Sequence, residues 1–129
     1  MFSHVMVGTN DLNMSRSFYD AAFGALGLSP GFPDEKGRIF WMAPGGFFAI
    51  TKPINGEDAC HANGGTIGFA MTSPEQADSW HSAGIAAGGA SCEDPPGWRE
   101  GGFGPMYLAY LRDPAGNKLC GVHIPQRAT

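Results

Sequence analysis

Tyr110 and Cys120 flank the tight turn Asp113-Pro114-Ala115-Gly116 in the stretch "YLAYLRDPAGNKLCGV". A tyrosine hydroxyl can donate a proton or orient a substrate oxygen, and a cysteine thiolate can ligate a metal ion. Each also has a plainer use, the tyrosine as a core aromatic whose hydroxyl reaches water and the cysteine as a small buried hydrophobe. His4 adds an imidazole to the first apolar run, "FSHVMVG". Imidazole suits zinc, nickel or iron, and it serves equally as a pocket wall. In "EDPPGWREGGFG", Trp98, Arg99 and Phe103 are costly residues for a bare loop, so the stretch reads as a binding wall or lid. Arg99 can hold a carboxylate or phosphate through two parallel bonds, or pair with Glu93, Asp94 or Glu100. No GxSxG elbow, P-loop or dinucleotide fingerprint is present.

These residues need elements to carry them. "FSHVMVG" alternates as a strand, with Phe2, His4 and Met6 on one face. Asn10 or Asp11 caps a helix whose buried stripe is Ser15, Phe18, Tyr19, Ala22 and Leu26, with Gly27 as its stop. "GRIFWMAPGGFFAITKP" gives two strands about Pro44-Gly45-Gly46, and alternation sends two of Phe40, Trp41, Phe47 and Phe48 to each face. Residues 53–64 form a polar loop. The order then starts again. "GTIGFAM" is a strand, Ser73, Pro74 and Gln76 open a second helix with Ala77, Trp80 and Gly84 buried, and a long loop leads into the hairpin of Tyr110 and Cys120. His81 reads as a surface residue, His123 has no assigned role, and Tyr107 points away from the face of Tyr110.

Asp11 and Ser73, Phe18 and Trp80, and His4 and Thr66 are each 62 positions apart. The turns "APGG" and "DPAG" are 70 apart, which pairs Phe40 with Tyr110 and Ile50 with Cys120. The chain therefore reads as one duplicated α+β domain over residues 1–129, in modules of about 1–60 and 61–129. Its 129 residues and 43% hydrophobic content suffice for one core. The charge of −4 with no basic run speaks against nucleic acid. No apolar stretch reaches about 18 residues, so no membrane span is expected, and the N-terminus lacks the pattern of a signal peptide. Three widely spaced cysteines suggest no disulfide framework and point to a reducing cytoplasm.

"SHVMVGTNDLNMSRSFYDAAFGALGL" and "YLRDPAGNKLCGV" resemble the vicinal oxygen chelate superfamily, which includes glyoxalase I, extradiol dioxygenases and fosfomycin- and bleomycin-resistance proteins. The second segment follows the family's tyrosine, Asp-Pro-x-Gly and glutamate spacing, with Cys120 where the glutamate stands. The resemblance implies two βαβββ modules curling a mixed sheet around a pocket, and a homodimer. It maps the family's four metal-ligand positions to His4, Ile50, Thr66 and Cys120. Ile50 cannot ligate, and Thr66 is a weak neutral donor that suits substrate contact. His61 and Glu57, in the loop before the second module, are placed to complete a shifted site. Two functions follow. One is a glyoxalase-like lyase or isomerase, or a dioxygenase, with a degenerate site for Zn, Ni, Fe or Mn held by His4, Cys120 and His61. Tyr110 would then act as acid, with Arg99, Trp98, Phe40 and Thr66 on the substrate. The other is a metal-free protein that sequesters a small molecule, as bleomycin-resistance proteins do.

Overall fold

The computed structural model describes residues 1–125; residues 126–129, the end of the expected second module, lie outside the described residues. The N-terminal module opens with β1 (His4–Gly8), which runs parallel to β4 (Gly46–Thr51). β4 returns antiparallel from β3 (Ile39–Ala43), and the short β2 (Phe32–Pro33) closes the sheet in the order β1-β4-β3-β2. The C-terminal module repeats the plan. β5 (Ile67–Ala70) lies parallel to β9 (Lys118–His123), β9 pairs with β8 (Gly104–Arg112), and β6 (Ala90–Ser91) follows. Two mixed sheets, of four and five strands, thus carry one helix each, as the duplicated α+β pattern predicts.

The "EDPPGWREGGFG" stretch differs from expectation. Its middle is a strand, β7 (Gly97–Gly101), in a hairpin with β8. Glycine and proline hid it in the sequence, because neither favours a strand on its own. The long partner β8 supplies the missing order.

Helix α1 (Leu12–Gly24) starts at Asp11, whose side chain accepts from the Met14 amide at 3.0 Å. Gly27 turns left-handed after it, and the Leu28 amide returns to the Phe23 carbonyl. The buried stripe is Ser15, Phe18, Tyr19, Ala22 and Phe23, so Phe23 takes the place expected of Leu26. Helix α2 (Pro74–Ala86) starts at Ser73, which accepts from the Gln76 amide, and buries Ala77, Trp80, His81 and Gly84. His81 is therefore not a surface residue. It is 8% exposed, because its face of α2 packs toward β6, where its Nε2 meets Ser91 Oγ at 3.0 Å. Burial lowers its pKa from the ordinary histidine value.

The helix-facing sides of both sheets merge into one core. Val5, Trp41, Phe48 and Ile50 come from the first sheet, and Ile67, Leu111 and Leu119 from the second. Phe69 stands at the join, touching Phe23, Phe48 and Trp80 with centroids 5.3, 5.7 and 6.3 Å away. Each fully buried large side chain contributes about 1.5–3 kcal/mol. A polar tie adds direction: Tyr19 Oη on α1 donates to Asp113 Oδ2 in the second hairpin turn at 2.6 Å. Asp113 also accepts from Asn117 Nδ2, which reaches the Gly8 carbonyl at the end of β1. No helix among the described residues is long and apolar enough to cross a membrane.

Candidate functional site

Strand alternation decides which side chains leave the core. On the first sheet His4, Met6, Phe40, Met42, Phe47 and Ala49 share the face turned away from α1, as the pairs His4–Phe47, Met6–Ala49 and Phe40–Ala49 require. Trp41 and Phe48 face the helix and are buried. The even division of the four aromatics is as the alternation predicts.

Ile50 lies on the other side from His4. It pairs with Val7 and Ile39, is fully buried, and belongs to the core. The registers explain why. Val5 pairs with Phe48 as Ile67 pairs with Leu119, so the partner of Cys120 in the first module is Ala49. The first hairpin crosses directly from Ala43 to Gly46, whereas the second spans Asp113 to Asn117 between Arg112 and Lys118. The extra turn residues move the repeat by one position in the last strand. Neither Ala49 nor Ile50 has a donor atom.

On the second sheet Tyr110 and Cys120 are direct cross-strand partners on the face away from α2. Burial, then the neighbouring Cys120, pushes the Tyr110 pKa up to about 12. Burial likewise raises the Cys120 thiol, so it stays protonated at neutral pH. Lys118 Nζ sits 5.1 Å from the centre of the Tyr110 ring and pairs with Glu93, which holds a left-handed backbone (φ 57°). Arg99 shares this face, but Nη2 is spent on the Asp94 and Pro95 carbonyls at 3.2 and 2.8 Å. Trp98 stands apart on the helix side of the sheet, edge-on to Tyr107 and His123. Tyr107 turns away from Tyr110, as expected, and donates to Asp78 on α2 at 2.6 Å.

His61 is exposed and lies over the Gly116 turn, where an added Cβ would meet its ring at 3.5 Å. Glu57 is exposed and accepts from Asn55. Thr66 is exposed just before β5. Among the described residues no three His, Cys, Asp or Glu side chains come together to hold a metal ion. With Ala49 inert and His61 over the Gly116 turn, away from His4, the described residues do not fit a divalent ion.

A cavity of about 530 Å³ opens instead at the seam between the modules. β1 and β5, the free edges of the two sheets, form its sides. Phe23, Leu26 and Leu28 at the end of α1 floor it, with Trp41, Phe48 and Phe69 as aromatic walls. His4 stands at the rim, its ring stacked on Phe47 at 4.6 Å and 3°. Its Nδ1 is engaged by Ser3 Oγ at 2.8 Å, which leaves Nε2 to a ligand. Of the candidate site residues, His4 alone lines this cavity; Phe40 stacks with Phe32 and Phe47 outside it. Phe23, Leu26, Leu28 and Phe69 escaped sequence reasoning, since each looks like ordinary core until the modules are docked.

The chain is 59% identical to a glyoxalase/bleomycin resistance protein from Albidiferax ferrireducens T118, with a TM-score of 0.93 over 96% of this chain and 99% of that one. A glyoxalase-related enzyme from Fulvimarina pelagi (20% identity, TM-score 0.73, 97% of this chain and 88% of that one) shares the fold. So does a lactoylglutathione lyase from Agrobacterium tumefaciens (20%, 0.66, 95% and 92%). No protein-family model and no curated relative matches the sequence.

Proposed function

Because the chain belongs to the glyoxalase/bleomycin resistance protein family, we propose that it binds a small molecule in the seam cavity without the help of a metal ion. The observation that carries this is the cavity itself: about 530 Å³, aromatic-walled, with His4 as its titratable side chain. That volume falls within the range of small-ligand sites, roughly 300–1,000 Å³. A lyase or dioxygenase of this fold would need about three strong ligands and an open position. His4 offers one nitrogen, and no acid or base faces it across the cavity. Capture of a compound therefore fits the residues better than its conversion.

A second copy of the chain is the proposed partner. The outer face of the first sheet leaves Met6, Phe32 and Met42 exposed around Phe40 and Phe47, a patch of the kind that marks an interface. Three free cysteines support a reducing compartment, the cytoplasm.

The test is quenching of Trp41, which forms part of the cavity wall. Titration with aromatic fragments is expected to quench the fluorescence saturably, to lose that quenching in Trp41→Phe, and to give a matching calorimetric isotherm. Ala70→Trp, which fills the cavity from the β5 edge, is expected to abolish binding. Saturable binding that this variant leaves intact would place the ligand elsewhere and sink the proposal.

A further inference from the structure

We propose that the seam cavity selects flat, uncharged ring compounds whose edge carries a hydrogen-bond donor beside an acceptor, such as lactams and hydroxy-substituted heteroarenes. This rests on the binding role above and names its ligand class. Three observations carry it.

The first is charge. No Asp, Glu, Lys or Arg lines the cavity, and Ser3 and His4 supply its polar side chains. An ion moved there would lose its water and meet no counter-charge, at a cost that outweighs the apolar contact it gains. The second is shape. The rings of Trp41, Phe48 and Phe69 wall the cavity and the parallel, stacked His4–Phe47 pair stands at its rim, surfaces that reward a ring over a flexible chain.

The third is the backbone. A strand residue turns its N–H and C=O to the same side, and successive residues alternate. The Ser3 carbonyl and the Thr9 amide bond to β4, so the odd residues of β1 face β4 and His4 and Met6 face the seam. The Gly8 carbonyl, which accepts from Asn117 across the seam, follows the same phase. On β5 the Met71 amide bonds to Val122, so Gly68 and Ala70 turn theirs into the seam. His4, Gly68 and Ala70 all line the cavity, and a Cβ on Gly68 would meet only Val122 at 3.8 Å. A ligand can thus approach the β5 edge closely. A hydrocarbon would strip water from these amides and return nothing. A lactam edge offers one donor and one acceptor to a strand edge, as a neighbouring strand does.

The probes are 2-quinolone, N-methyl-2-quinolone, naphthalene, 2-naphthoate and 1-decanol, titrated by Trp quenching and calorimetry against the wild type and Ala70→Trp. 2-Quinolone is expected to bind about five- to tenfold more tightly than naphthalene or its N-methyl derivative, the size of one or two net hydrogen bonds. It should also exceed naphthoate and decanol, and Ala70→Trp should abolish its binding. Equal binding of naphthalene or N-methyl-2-quinolone would overturn the edge requirement. Equal or tighter binding of naphthoate or decanol would overturn the uncharged-ring requirement. In either case the cavity would stand as a binding site. If no probe binds the wild type, or if 2-quinolone binds Ala70→Trp as tightly, the ligand class and the cavity's role both fall.

Discussion

Cys120 occupies the position at which the family resemblance implies a ligand, yet its surroundings make it inert. It is 5% exposed and its pKa is raised, so it should be alkylated last of the three cysteines. Exposed Cys60 should react first with iodoacetamide, followed by half-buried Cys92, in time-resolved mass spectrometry. Early labelling of Cys120 would show that the hairpin opens. Purified protein incubated with Zn²⁺, Ni²⁺, Fe²⁺ or Mn²⁺ and desalted should carry well under one ion per chain, and His4→Ala should not change the figure. Elemental analysis reads this directly; about one ion per chain, lost in the variant, would restore the metal reading. The facing of Tyr110 and Cys120 was legible from the turn between them. The true counterpart of Cys120 was not. A difference in turn length shifts the repeat in the last strand by one residue, and one residue in a strand reverses the face.

Both helices were legible, because each combines a side-chain cap with a 3.6-residue stripe. Their exact buried faces were less so, as Phe23 and His81 show, since burial depends on what the opposite element presents. Gly84 makes the point in energy. Helix propensity alone would make Gly84→Ala stabilising by about 1 kcal/mol. In α2, however, the new Cβ would lie 2.5 Å from Leu111 Cδ1 and 3.0 Å from the Phe18 ring. Overpacking of this kind costs about 1–3 kcal/mol, so the variant should unfold at lower denaturant than the wild type. The tie between α1 and the second hairpin has its own signature. Tyr19→Phe removes a donor from buried Asp113 and should cost about 1–3 kcal/mol. Burial, then the Asp113 charge, holds the Tyr19 pKa well above its ordinary 10.0. Its contribution is therefore complete below pH 10 and is lost as pH climbs above 10 toward the folded value, where the unfolded chain alone ionises. Urea titrations between pH 9 and 11 should show a shallower alkaline loss in Tyr19→Phe. Tyr107 and Tyr110, both pushed to about 12, should keep the residual slope.

At the scale of the molecule, the duplication could be read from offsets in the sequence, but the docking of its halves could not. Nothing local in Phe69 or Phe23 announces that they meet across a seam. If the bare face of the first sheet receives a second copy, light scattering should give twice the chain mass, largely insensitive to salt. Met42→Glu, which places a charge in that face, should halve it. The merged core also bears on how the chain is made. When a ribosome has released residues 1–60, Phe23 and Phe48 still await Phe69 and Trp80. The leading half is then a nascent chain with its sticky side open, and β8 and β9 have yet to be translated. Stalled chains ending before residue 104 should be cut readily by protease, whereas chains with residue 125 clear of the exit tunnel should resist. The first module thus depends on its successor for protection during synthesis.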